Sequence, residues 1–176
     1  MKSFGYRFPM MAVGGAPVNA QRMSFLSSVG FNIYVGYGLT EASPIVAINS
    51  DIFHFPDSVG SCVGDTECKI VEPDGSGVGE IAIRGSNITK GYYKDENATA
   101  ASFKDGWFLT GDYGRLDQNG RLYISGRKKN LIILDNGKNI CPEVLEDFFR
   151  ENSPLFSEAV VFERTKTRGK ESAKLL

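Results

Sequence analysis

The order of the first few dozen residues is the tightest constraint on how this chain can fold. Residues 8–13 form an apolar run that stops at Gly14-Gly15-Ala16-Pro17, as a buried strand does on entering a tight turn. Asn19 then has the position of a helix cap, Met23, Leu26 and Val29 follow at roughly helical spacing, and Gly30 stands where a left-handed stop is expected. A second apolar run, 31–35, begins at once. Strand, helix and strand joined this tightly imply a parallel pair with a right-handed crossover, whose ligand crevice opens at the carboxyl ends of the strands. Both glycine-containing loops, 14–17 and 36–41, are expected there.

From about residue 58 the texture changes to short alternating segments, predicting antiparallel strands over 67–72, 80–84, 107–110 and 121–125. Turn clusters at 73–77 and 117–120 separate them, and one short helix is expected over 96–103 behind Asp95. A small β-barrel or twisted sheet fits this pattern. After Gly126 come a strand over 131–134, the turn signal Asn136-Gly137, and a helix opened by Pro142 whose apolar face is Val144, Leu145, Phe148 and Phe149. A last strand is expected over 159–162, followed by a polar tail in which Lys170 reads as part of a solvated loop. The class is therefore mixed: α/β at the start and α+β beyond, with the basic cluster Gly126-Arg127-Lys128-Lys129-Asn130 as the candidate boundary.

Composition excludes several functions. Hydrophobic residues make up 41% and charged residues 23% of 176, which is the balance of a globular chain. Lys and Arg total 20 against 21 Asp and Glu, a net charge of -1, so no basic field draws in nucleic acid and none is expected as the main partner. The single histidine, His54, nearly excludes His-based triads and zinc sites, and it reads as a loop residue rather than a base. Cys62, Cys68 and Cys141 are odd in number and lack C-x-x-C spacing, so a reducing, cytoplasmic setting is the default. No apolar run approaches the roughly 18 residues of a membrane span, and no signal-peptide layout opens the chain. The 20 glycines suggest tight turns or a backbone that approaches a ligand closely.

Three strings carry chemistry. Gly36-Tyr37-Gly38-Leu39-Thr40-Glu41 offers a flat ring, a hydroxyl and a carboxylate in order: Tyr can stack on a base, Thr can bond a phosphate oxygen, and Glu can hold Mg²⁺. A glycine-rich turn with a capping Thr answers to the same six letters. Thr110-Gly111-Asp112 places a carboxylate able to accept from the adjacent hydroxyls of a ribose, and by itself is equally a turn. In Gly126-Arg127-Lys128-Lys129 an Arg fork suits ribose or phosphate, with a solvated hairpin end as the plainer reading.

Jointly, and in this order, these strings resemble the AMP-forming adenylating superfamily of acyl-CoA synthetases, peptide-synthetase adenylation domains and luciferase-like enzymes. Gly14-Gly15-Ala16-Pro17, Gly79-Glu80-Ile81, Lys90-Gly91-Tyr92-Tyr93, Trp107 through Asp112, Asn136-Gly137-Lys138-Asn139-Ile140 and Pro142-Glu143 extend the match over nearly the whole chain. The resemblance implies a two-step ligase: a carboxylate attacks the α-phosphate of ATP to give an acyl-adenylate and pyrophosphate, then a thiol, coenzyme A, takes the acyl group. It implies that Gly15, Ala16 and Pro17 line the adenine pocket and that Tyr37 stacks on the base. Thr40 would touch the phosphates, Glu41 would hold Mg²⁺, and Asp112 and Arg127 would clamp the ribose with Ile124 nearby. Lys129 matches the hinge of a mobile C-terminal domain. The implied divisions are 1–57, the end of the large α/β subdomain; 58–126, the β-barrel subdomain; 127–130, the hinge; and 131–176, part of the mobile domain. A homo-oligomer is compatible with this plan.

The position of Gly38 implies an acyl pocket left open to a chain or ring, where each buried methylene contributes about 0.8 kcal/mol. The expected substrate is a medium or long fatty acid. An aryl acid or o-succinylbenzoate, a peptide-synthetase-type amino acid, and a non-catalytic β-rich module are the alternatives. Two parts of the family's machine have no match here: the Ser/Thr/Gly-rich phosphate loop with its Lys, expected upstream, and the catalytic Lys, expected beyond Leu176. Residues 85–91 only imitate the former, and this chain alone is not expected to catalyse adenylation.

Overall fold

The opening unit forms as its letters predict. In the computed structural model, which describes residues 10–15, 18–52, 54–133, 139–153, 155, 158–162, 164–167 and 170–173, β1 (Met11–Gly14) leads through α1 (Ala20–Ser28) to β2 (Ile33–Gly38). β1 and β2 run parallel, Met11 beside Ile33 and Gly14 beside Gly36. The Asn19 side chain accepts from the Arg22 N–H at 2.8 Å and caps the helix. Ile33, Val35 and Ile52 form a small core against which Met23 and Leu26 pack.

β2 runs further than expected, so Gly36, Tyr37 and Gly38 are strand residues and not loop. The cause is an antiparallel neighbour that the sequence reading did not include, β3 (Ile45–Asn49), which folds back along β2 and is followed by β4 (Ser61–Cys62). Between β2 and β3 a 3₁₀ turn, Thr40–Ala42, carries the Thr-Glu pair.

The second sheet holds β5 (Glu67–Val71), β6 (Gly79–Arg84), β7 (Phe103–Lys104), β8 (Trp107–Leu116) and β9 (Leu122–Arg127), all antiparallel. The order is β5-β6-β8-β7, with β9 also paired to β8, and the sheet curls into a half-barrel. α2 (Glu96–Ser102) precedes β7 and is capped by Asp95, which accepts from the Ala98 N–H at 2.9 Å. The two sheets share one core: Val46 and Ala47 from the first, with Ala42 from the turn before them, pack with Ile81, Ile83, Phe108 and Leu122 from the second. Backbone bonds stitch the junction, Val59 N–H to the Leu122 carbonyl at 2.9 Å and Leu122 N–H to the Gly60 carbonyl at 2.8 Å.

A second 3₁₀ turn, Lys128–Asn130, leads to β10 (Ile132–Ile133), which pairs antiparallel with β11 (Asn139–Ile140); α3 (Pro142–Asn152) follows with its proline at the first turn. The turn signal Asn136-Gly137 lies outside the described residues. The strand expected over 159–162 does not form: the Val161 N–H is taken by the Glu146 carboxylate at 2.9 Å instead of a sheet partner. β12 (Arg164–Thr167) and β13 (Lys170–Ala173) make an antiparallel hairpin, so Lys170 begins a strand rather than lying in a loop. Among the described residues no helix is long and apolar enough to cross a membrane.

Candidate functional site

Thr110-Gly111-Asp112 is a bulge inside β8, where the sequence suggested a loop after a shorter strand. β6 sets Glu80 opposite Tyr113 and Ala82 opposite Leu109, so Ile81 alone faces three residues. The Thr110 hydroxyl donates to the Ile81 carbonyl at 2.9 Å and accepts from the Asp112 N–H at 3.1 Å. Gly111 takes φ +70, a left-handed backbone that glycine adopts without steric cost. Bulges re-aim side chains, and here the re-aimed side chain is Asp112, which is only 6% exposed.

Three strands meet at that carboxylate. Asp112 lies directly across the ladder from Arg127, whose Nε stands 2.9 Å from Oδ1. Oδ2 accepts the Tyr37 hydroxyl from β2 at 2.7 Å. Burial first, and the Asp112 charge second, hold the Tyr37 phenol well above the usual tyrosine range, so it remains a donor at any working pH.

Thr40 and Glu41 reach the same place from the turn after β2. That turn closes with the Leu39 N–H on the Pro44 carbonyl at 2.8 Å, and a Cβ on Gly38 would lie 1.9 Å from the same oxygen. Glycine at 38 therefore has a backbone cause as well: the close β2–β3 approach leaves no room for a side chain. The Glu41 Oε1 accepts the Tyr92 hydroxyl at 2.9 Å.

Gly38, Thr40, Glu41, Asp112 and Arg127 thus surround one cavity of about 520 Å³, also lined by Glu80, Tyr92, Phe108 and Lys128. Gly15, at φ +85 on the end of β1, is not among its lining residues, and Ala16 and Pro17 lie outside the described residues. Ile124 sits opposite Gly114 in β9 and packs on the shared core. Lys129 is exposed in the 3₁₀ turn, next to the cavity-lining Lys128. His54 is exposed beside Asp51 at 2.8 Å, away from the cavity lining.

Sequence reasoning assigned no role to Glu80, Lys128 or Tyr92. Lys128 Nζ meets the nearly buried Glu80 carboxylate at 2.5 Å, and that hydrogen bond raises the lysine's pKa. Glu80 and Tyr92 both stood inside strings that carried the resemblance, which was the available signal. Among the described residues no group of three or more His, Cys, Asp or Glu is placed to hold a metal by itself.

Comparison with known proteins agrees with this arrangement. Residues 3–93, just over half of the chain, match the AMP-binding enzyme family. The chain is 43% identical over 148 residues to long-chain-fatty-acid–CoA ligase FadD15 of Mycobacterium bovis, covering 84% of this chain and 24% of that protein. It superposes on o-succinylbenzoate-CoA synthetase MenE of Bacillus subtilis in complex with its acyl-adenylate intermediate, with a TM-score of 0.80, 31% identity, and coverage of 94% of this chain and 34% of that one. The same enzyme in complex with ATP and magnesium gives a TM-score of 0.76 at 32% identity, covering 92% and 34%. The chain thus spans about a quarter of the curated relative and a third of the solved one. With the bulge, the Thr-Glu turn and the Asp–Arg pair converging on one cavity and the family match covering the Thr-Glu turn, the chain belongs to the AMP-binding enzyme family.

Proposed function

We propose that this chain is the nucleotide-gripping part of an ATP-dependent acyl-CoA ligase that activates a fatty acid as acyl-AMP and passes the acyl group to coenzyme A. The observation that carries the reading is Asp112, held at once by Tyr37 and Arg127 at the edge of a cavity shared with Thr40 and Glu41. A buried carboxylate and an exposed guanidinium fixed side by side suit the paired hydroxyls of a ribose, which accept and donate together. The Thr40 hydroxyl suits a phosphate oxygen, and the adenine is assigned to Tyr37, Gly15, Ala16 and Pro17 on the family resemblance alone.

In the first half-reaction a substrate carboxylate oxygen bonds to the α-phosphorus and the bond to pyrophosphate breaks. These side chains orient the nucleotide so that attacking and leaving oxygens lie in line. Of the carboxylates lining the cavity, Asp112 and Glu80 are paired with Arg127 and Lys128, which leaves Glu41 to suit Mg²⁺, a cation held by one or two carboxylates and completed by substrate phosphates. When bound, Mg²⁺ would neutralise charge developing on those phosphates.

FadD15, by its name a long-chain fatty acid ligase, supports the fatty acid as substrate. The likeness to MenE favours o-succinylbenzoate as the second reading. ATP–pyrophosphate exchange by the complete ligase, offered palmitate, octanoate, benzoate, o-succinylbenzoate and amino acids, separates them. Exchange driven by the fatty acids is expected. Response to the aryl acids alone would move the substrate class, response to amino acids would move it to the peptide-synthetase branch, and no exchange with any acid would leave a non-catalytic module.

A further inference from the structure

We infer that Tyr92 is a positioning residue for the Glu41 carboxylate and thereby sets how tightly the site holds its divalent cation. The inference rests on the ligase reading above and concerns the same cavity. The Tyr92 hydroxyl donates to Glu41 Oε1 at 2.9 Å, and among the described residues no other hydrogen bond to that carboxylate is formed. One oxygen is therefore occupied by a neutral donor and the other is left for a ligand.

The contact belongs to a strap. The segment after β6 is fastened to the Thr-Glu turn at two earlier points: the Asn87 amide donates to the Ala42 and Ile45 carbonyls, each at 3.0 Å, and the Thr89 N–H donates to the Glu41 carbonyl at 2.7 Å. Tyr92 is itself fixed from behind, its N–H donating to the Thr99 hydroxyl at 2.9 Å. The turn's backbone is thus held by Asn87 and Thr89, and among the described residues Tyr92 alone grips the carboxylate.

A carboxylate on a flexible stem binds a cation better when a neighbour has already chosen its rotamer, and loss of such a partner typically costs 10- to 100-fold in metal affinity. In the complete ligase, Tyr92→Phe is expected to weaken Mn²⁺ binding in the presence of ATP by about 10-fold, read from the free-ion electron paramagnetic resonance signal. The half-saturating Mg²⁺ for ATP–pyrophosphate exchange should rise in parallel, with the rate deficit closing as Mg²⁺ saturates. In a Glu41→Gln background the same substitution should add no further loss of Mn²⁺ affinity. Unchanged Mn²⁺ affinity in Tyr92→Phe, an additive loss in the double variant, or a deficit that Mg²⁺ does not close would overturn the inference while leaving the ligase reading intact. A wild-type enzyme that exchanges pyrophosphate with no carboxylic acid would remove both.

Discussion

Removing the Asp112 carboxylate leaves the Tyr37 hydroxyl and Arg127 Nε without their acceptor at the edge of the cavity. Asp112→Ala is expected to lower kcat/KM for ATP in the complete ligase by about 1.5–3 kcal/mol, roughly 10- to 150-fold, as measured by pyrophosphate exchange. Unchanged ATP kinetics would take Asp112 out of the site. A pH prediction belongs to Asp117, whose carboxylate accepts from the Arg121 and Asn119 N–H groups at 2.9 and 2.8 Å and is thereby held below the ordinary aspartate range. Because the folded form favours the ionised group, its stabilisation is present above the unfolded value, near about pH 3.9, and is lost as pH falls through the folded one. Denaturation midpoints of Asp117→Asn and wild type should therefore differ at neutral pH and converge in acid. The kinds of side chain at Asp112, Arg127, Thr40 and Glu41 were legible in the sequence because each kind has chemistry of its own. Glu80 with Lys128 and Tyr92 with Glu41 were not, since a pair 48 or 51 residues apart is visible only once the strands are in register.

Bulges account for what happened at the level of elements. Gly36, Gly38 and Gly111 read as loop residues because glycine weakens strands, yet each lies inside one, Gly38 and Gly111 at places where the ladder slips register. The strand–helix–strand opening was legible because its caps and apolar runs are local; β3 was not, because only Ser43-Pro44 stands between it and the Thr-Glu string and its partner is defined by the close approach at Gly38. Two glycine substitutions separate backbone strain from collision. At Gly111 a Cβ meets nothing within 4 Å, so Gly111→Ala should cost only the left-handed conformation, about 1–2 kcal/mol in urea denaturation. At Gly60 a Cβ would lie 1.9 Å from the Ile48 carbonyl as well as demanding φ +85, so Gly60→Ala should cost clearly more than Gly111→Ala. Equal losses would mean that the backbone at Gly60 moves freely, against the tight junction described.

The molecule as a whole depends on a core that crosses from one sheet to the other, and Leu122, fully buried and bonded through its backbone to Val59 and Gly60, is its tie. Leu122→Ala should cost about 2–5 kcal/mol and loosen both sheets together. Ala42, Val46 and Ala47 lie before the change of texture near residue 58 and pack with residues beyond it, which no one-dimensional pattern displays. That shared core holds β2, β8 and β9 in one frame, and so brings Tyr37, Asp112 and Arg127 to a common point. The most direct measurement is a titration of AMP into the isotopically labelled chain, followed by amide shifts. Tyr37, Thr40, Asp112 and Arg127 should move together and saturate at one affinity; stationary signals at those four positions while AMP binds elsewhere would contradict the convergence on which the proposed function stands.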